Sequence, residues 1–239
     1  MIEQIDITKI LILDIETVPQ FSSFEHVPER WKALWEKKSN IIKKDADQTV
    51  EELYPRAGIY SEFGKIVCIS VGYFNSTGKT YQFRVKSFYN HDEAELLTDF
   101  CNMISRHYNG SDNLLCAHNG KEFDFPYIAR RCVINNIKLP EILNSAGKKP
   151  WEIKHIDTME LWKFGDYKNF TSLDLLAAVF NIETPKDDID GSMVWKVYWQ
   201  ENNLERIKTY CQKDVVTVAQ VLLSFRGEKL LSVEDIIEV

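Results

Sequence analysis

A chain of 239 residues that is 44% hydrophobic and 27% charged can bury a sizeable core, and its length suits one domain with insertions better than two. No apolar stretch approaches the roughly 18 residues of a membrane span, and the acidic start Met1-Ile2-Glu3 lacks the basic region of a signal peptide. The formal net charge of −7 argues mildly against strong, extended binding of nucleic acid, which is mostly electrostatic.

The first element is a strand over about Lys9–Ile15. Ile10-Leu11-Ile12-Leu13 is a continuous aliphatic run, as in a buried central strand, and it ends in Asp14-Ile15-Glu16-Thr17. Side chains alternate along a strand, so Asp14 and Glu16 project from the same side and repel each other unless cations lie between them. Residues 20–63 read as a helical insertion. Pro28 to Trp35 starts like a helix, and Thr49-x-x-Glu52 is a capping box before another. Trp31 and Trp35 share a helix face and read as packing residues. Because this insertion leaves directly from the first strand, it is expected to wall any groove that starts there.

Two further strands, Lys65–Phe74 and Thr80–Phe88, form a hairpin across Asn75-Ser76-Thr77-Gly78-Lys79. Gly72 through Gly78-Lys79-Thr80 nearly imitates a phosphate loop. Its spacing is one residue too long and no helix follows, so it is a decoy. Asp92–His107 is an amphipathic helix with Leu96, Leu97, Phe100 and Ile104 inward. A fourth strand, Asn113–Ala117, breaks at the turn signal Asn119-Gly120. Phe123, Tyr127 and Ile128 then follow at helical spacing, with Asp124 in the first turn.

Lys154–Thr158 is a candidate fifth strand. Asp157 at its end is either an additional acidic group or, more simply, a cap for the next helix. Trp195 and Trp199 read as packing residues. Ile207, Val215, Val218 and Leu222 form one stripe of a helix over Leu204–Phe225, so Tyr210 and Asp214, one turn apart, point the same way. The tail, residues 228–239, is a short acidic helix candidate. Five cysteines, Cys68, Cys101, Cys116, Cys132 and Cys211, show no Cys-x-x-Cys spacing and read as reduced, mostly buried thiols of a cytoplasmic protein.

Each acidic pattern taken singly has a bland account: a solvated strand end, a helix cap, a half-buried helix face. In this order they form an all-oxygen set drawn from three segments, able to hold hard divalent cations. The combination resembles the Tyr variant of the DEDD-type 3′–5′ exonucleases of the ribonuclease H-like superfamily. It is most similar to the exonuclease domain of family-B DNA polymerases, in particular to stand-alone bacterial proteins related to that domain. The first motif matches Asp14 and Glu16, the second Asn119 to Asp124, and the third, Tyr-x-x-x-Asp, matches Tyr210 to Asp214. The similarity runs from about Thr8 to Arg226.

That resemblance implies an α/β fold, a ribonuclease H-like mixed five-stranded sheet flanked by helices, within a single domain over 1–239. It implies two divalent metal ions, Mg²⁺ with Mn²⁺ able to substitute, held by Asp14, Glu16, Asp124 and Asp214. Tyr210 would orient the attacking water. Thr17, Asn119 and Phe123 would hold the 3′ end of single-stranded DNA through a hydroxyl, an amide and a stacking ring. Lys186 lies near the position of a lysine that stabilises the transition state, and a solvated loop lysine explains it equally well. A protein that grips only a few nucleotides, with metal ions supplying positive charge, escapes the objection from net charge. Among the basic pairs, Arg130-Arg131 has the best claim to a phosphate, two turns along the helix from Asp124.

Three readings remain at this point. The first is hydrolysis of single-stranded or frayed DNA from its 3′ end, releasing nucleoside 5′-monophosphates. The second is the same chemistry on RNA, since motifs alone do not separate the sugars. The third is a non-catalytic module that keeps the fold and binds nucleic acid or protein. All four carboxylates are present, which favours the enzyme. No polymerase domain is expected after the third motif.

Overall fold

The computed structural model describes every residue except 1, 44, 46, 77, 79, 167, 169 and 184–188. In chain order the main elements are β1 (Ile10–Pro19), α1 (Glu29–Ile42), α2 (Val50–Leu53), β2 (Gly64–Ser76), β3 (Tyr81–Tyr89), α3 (Glu93–His107), β4 (Leu114–Ala117) and α4 (Asp124–Ile134). They continue with β5 (Ile156–Asp157), α5 (Thr158–Lys163), α6 (Leu173–Val179), α7 (Val194–Trp199), α8 (Leu204–Arg226) and β6 (Ile236–Glu238).

The strands form one sheet in the order β5-β4-β1-β2-β3-β6. β2 runs antiparallel to both β1 and β3, β4 runs parallel to β1, β5 to β4, and β6 to β3. This is the expected mixed α/β sheet flanked by helices, consistent with a ribonuclease H-like arrangement, but with six strands where five were expected. The tail supplies the sixth: instead of a helix it makes one 3₁₀ turn and then pairs Ile236 with Phe83. Ile236 and Ile237 are adjacent between charged residues, and in so short a segment period does not separate helix from strand.

β1 is central, and both of its faces are covered, which is why it reads as an unbroken apolar run. On one face Leu11, Leu13 and Ile15 pack with Leu97, Phe100 and Ile104 of α3 and with Tyr127 and Ile128 of α4. On the other, Ile10 and Ile12 pack with Val215, Val218 and Leu222 of α8. Gly72 of β2 lies under α8. A Cβ there would collide with Phe83 and with Val215, so glycine is what lets the helix approach the sheet. The residue therefore belongs to sheet packing, as its rejection as part of a phosphate loop implies.

β1 outlasts its expected end. A register shift between Glu16 and Thr17 lets pairing continue to Val18–Lys65 and Pro19–Gly64. Residues 20–63 then form a satellite core around Val27, Trp35, Leu53, Tyr54 and Ala57. The expected capping box is present: Glu52 N–H donates to Thr49 Oγ1 (3.2 Å) and Thr49 N–H to Glu52 Oε2 (2.9 Å). Trp35 is fully buried and its indole N–H donates to the Val50 carbonyl (3.2 Å), whereas Trp31 stays 38% exposed, edge-on to Phe63.

Candidate active site

The α8 face of β1 passes from Ile10 and Ile12 to Asp14 and Glu16. The strand period therefore delivers both carboxylates to the side where α8 crosses, as the sequence predicts. Glu16 is 7% exposed and Asp14 half-buried. Cys211 of α8 closes the group: its thiol lies 3.3 Å from Asp14 Oδ2 and 3.4 Å from the Asp14 carbonyl. One ligand atom from each of Asp14, Glu16 and Cys211 falls within 4.8 Å of the others.

Asp124 arrives from the first residue of α4 and Asp214 from α8. Their mutual influence shows that the four acids are neighbours. Burial first, then Asp214 and Asp124, raise the Asp14 carboxyl well above the ordinary range. Burial, then Asp14 and Asp214, do the same to Glu16. Burial pushes Asp124 up to about 7, opposed by hydrogen bonds from its own N–H and that of Ile15 and reinforced by Asp157 and Asp214. Asp124 is 3% exposed, and its Oδ1 has no hydrogen-bond partner among the described residues. A buried carboxylate oxygen with no donor is costly unless something positive meets it. The Tyr210 hydroxyl is hydrogen-bonded to Asp214. Burial and the surrounding Asp214, Glu16 and Asp14 raise its pKa, so it stays protonated.

The loop between β4 and α4 is held by a residue of β5. Asp157 accepts N–H groups from Asn119 (2.9 Å) and Lys121 (3.1 Å) while also capping α5 through Met159 (3.0 Å) and Glu160 (3.2 Å). Capping was the simpler expectation, and the staple on the second motif comes with it. His118 braces the same loop. Its Nε2 faces the Thr171 carbonyl (2.9 Å), which can only accept, so Nε2 carries the proton and Nδ1 accepts from Thr158 Oγ1 (2.9 Å). Burial lowers the His118 pKa and keeps the ring neutral.

The other anticipated residues are placed unevenly. Asn119 takes the left-handed conformation (φ 63°), which asparagine tolerates, and its side-chain amide makes no hydrogen bond among the described residues. Phe123 packs against Tyr127 (5.4 Å between rings) at the margin of the core. The Thr17 hydroxyl donates to the phenol oxygen of Tyr127, which in turn donates to the Gly58 carbonyl (2.7 Å). Lys186 lies outside the described residues. Arg131 is not placed for a phosphate. It is 4% exposed and paired with Glu93, donating from Nε (2.8 Å) and Nη2, while Nη1 reaches the Ser61 carbonyl (2.9 Å). The sequence reads Cys211 only as a buried thiol, because a cysteine next to Tyr210 gives no sign of which face it takes.

Residues 59–229, well over half of the chain, match the family described as a predicted 3′–5′ exonuclease related to the exonuclease domain of PolB. The chain belongs to that family. The matched span begins after Asp14 and Glu16 and does not include the first acidic pair. Among solved structures the chain is similar to the family B DNA polymerase from the hyperthermophilic archaeon Pyrobaculum calidifontis, at 15% identity and a TM-score of 0.49. The similarity covers 90% of this chain and 24% of the polymerase, so the chain spans about a quarter of that protein's length. No curated protein matches.

Proposed function

We propose that this protein is a metal-dependent 3′–5′ exonuclease of the Tyr variant, acting on single-stranded or frayed 3′ ends of DNA. The observation that carries the reading is the buried, partnerless Asp124 Oδ1 beside Asp14 and Glu16, in a group where burial first and neighbouring acids second raise the carboxyl pKa values. Such a set is unfavourable as anions in a bare protein and favourable around cations. The donors fit a pair of hard divalent ions, Mg²⁺ or Mn²⁺, with Asp14, Glu16, Asp124 and Asp214 as ligands. Bound there, the ions would supply the positive charge that makes hydroxide accessible near neutral pH and offsets charge on the phosphodiester oxygens.

The chain's own groups position the reactants. Tyr210, protonated and tied to Asp214, orients the attacking water by hydrogen bonding and does not take its proton. Water adds to phosphorus, the P–O3′ bond breaks, the shortened strand keeps a 3′-hydroxyl and a nucleoside 5′-monophosphate leaves. Asn119 offers a free amide to phosphate or sugar, and Phe123 offers a ring edge to a base. Thr17 acts through its bond to Tyr127, fixing the strand end beside Glu16. Lys186 is assigned to the transition-state charge. The all-thiol cysteines favour a reducing compartment.

The test is degradation of a 5′-labelled single-stranded DNA oligomer, with a matched RNA in parallel, in Mg²⁺, Mn²⁺ or EDTA. A metal-dependent ladder shortening from the 3′ end is expected on DNA, and none with Asp14→Ala, whose partly exposed position lets the fold survive. An unchanged ladder in that variant would end the assignment. Absence of cleavage with either metal on either substrate would leave a binding module.

A further inference from the structure

β1 runs three residues past Glu16, and its last residue, Pro19, forms one wall of a cavity of about 320 Å³. That size is at the lower end of small-molecule sites, roughly 300–1,000 Å³. Phe24 and Tyr54 from residues 20–63 and Trp195 from α7 supply the other walls, with Ser22 and Ser23 as polar lining. Three strand residues cover about 10 Å, so the cavity opens within a few nucleotides of the carboxylates.

Its aromatic walls are held in place. Tyr54 is 3% exposed, its hydroxyl accepts the Phe21 N–H, and its ring packs against Trp35 (5.8 Å) and Phe24 (5.9 Å). Trp195 and Trp199 lie one turn apart on α7 and both are half-buried, but Trp199 packs against the core beside Val197 and Tyr198, with its N–H on the Pro19 carbonyl (3.0 Å). The Trp195 indole N–H meets no protein acceptor among the described residues and is open to solvent, unlike those of Trp199 and Trp35. At the mouth, the exposed Glu25 and Glu51 disfavour a phosphate inside.

Aromatic walls, an open indole donor and an anionic rim suit a flat heteroaromatic ring that carries acceptors and no charge. We propose that this cavity holds a nucleobase of the single strand whose 3′ end lies at the carboxylates. The proposal rests on the exonuclease reading for its ligand and gives residues 20–63 a role as the far wall of the substrate path.

The test uses the whole protein in EDTA, so binding is read without turnover. A 5′-fluorescein single strand is titrated against wild type, Trp195→Ala, Trp195→Phe and Phe24→Ala, and the strand is then scanned with one abasic site per oligomer. Trp195→Ala is expected to weaken affinity about tenfold or more, as for loss of one stacked base, and Trp195→Phe less. In wild type one abasic position near the 3′ end should carry a similar penalty, and that penalty should vanish in Trp195→Ala. Should Trp195→Ala melt below the assay temperature, Phe24→Ala carries the same comparison. Equal affinities, or an abasic penalty that persists in both alanine variants, would overturn the proposal. Tryptophan-dependent binding without cleavage in Mg²⁺ would keep the cavity and remove the exonuclease reading, whereas cleavage with tryptophan-independent binding would do the reverse.

Discussion

At the scale of single residues, Asp14, Glu16 and Asp124 are held where burial makes them ionise poorly. Asp124 shows this most clearly, with a pKa pushed from 3.8 to about 7 by burial and by neighbouring acids. A carboxyl raised on folding adds stability that is complete below its unfolded pKa and lost as pH climbs through the folded value. In EDTA, Asp124→Asn should therefore melt close to wild type near pH 4 and above it near pH 8, with the gap opening between. Millimolar Mg²⁺ should raise the wild-type melting temperature at pH 8 and do little for the variant, because ligands must be ionised to bind metal. Coincident melting curves for the two proteins at pH 8 in EDTA would contradict the raised pKa. The shared face of Asp14 and Glu16, and that of Tyr210 and Asp214, was readable in the chain because these residues follow strand and helix periods. The partnerless oxygen of Asp124 was not readable, since hydrogen-bond satisfaction depends on what the rest of the chain places nearby.

Among elements, two polar clamps set the position of α4, which carries Asp124. The first is the Glu93–Arg131 pair, which also takes the Ile66 N–H (2.7 Å), the Asn135 amide (3.0 Å) and the Ser61 carbonyl, tying α3, α4 and β2 together. Removing one member leaves a buried charge without its partner. Arg131→Met should cost about 3–5 kcal/mol, read as a lowered urea midpoint, while adding Glu93→Gln should recover part of it. A loss under about 1 kcal/mol would mean the pair is solvated in solution. The second clamp is Asp157, which organises the turn before α4. Of the arginine pair, Arg131 was misjudged from sequence for a definite reason. Two adjacent arginines point to different sides of a helix, and only the packing of α3 decides that Arg131 faces inward while Arg130 stays exposed.

For the whole molecule, the sheet places the acids in its middle and leaves β3 near an edge, which β6 covers. Glu238 of β6 accepts from Lys208 (2.7 Å) and Gln212 (3.1 Å), and Gln220 holds the Leu231 backbone from both its amide atoms (2.9 Å each). Ending the chain after Gly227 should cost roughly 1–3 kcal/mol, seen as a lower melting temperature, and bare the β3 edge to self-association, seen by light scattering. Cleavage per folded molecule should persist, because β6 lies three strands, about 14 Å, from β1. Loss of cleavage with the fold intact would place the tail in the site.

The sequence by itself determined the central strand, the helices with strong apolar stripes and the three motif segments, because period and capping are local properties of a few adjacent residues. It also carried the family, through the order of those motifs. The tertiary structure alone decided that the tail is a strand, that Arg131 is internal, that Cys211 lies against Asp14 and that Trp195 and Trp199 part company. Each of these turns on which distant surface a side chain or edge meets, and no local pattern encodes that.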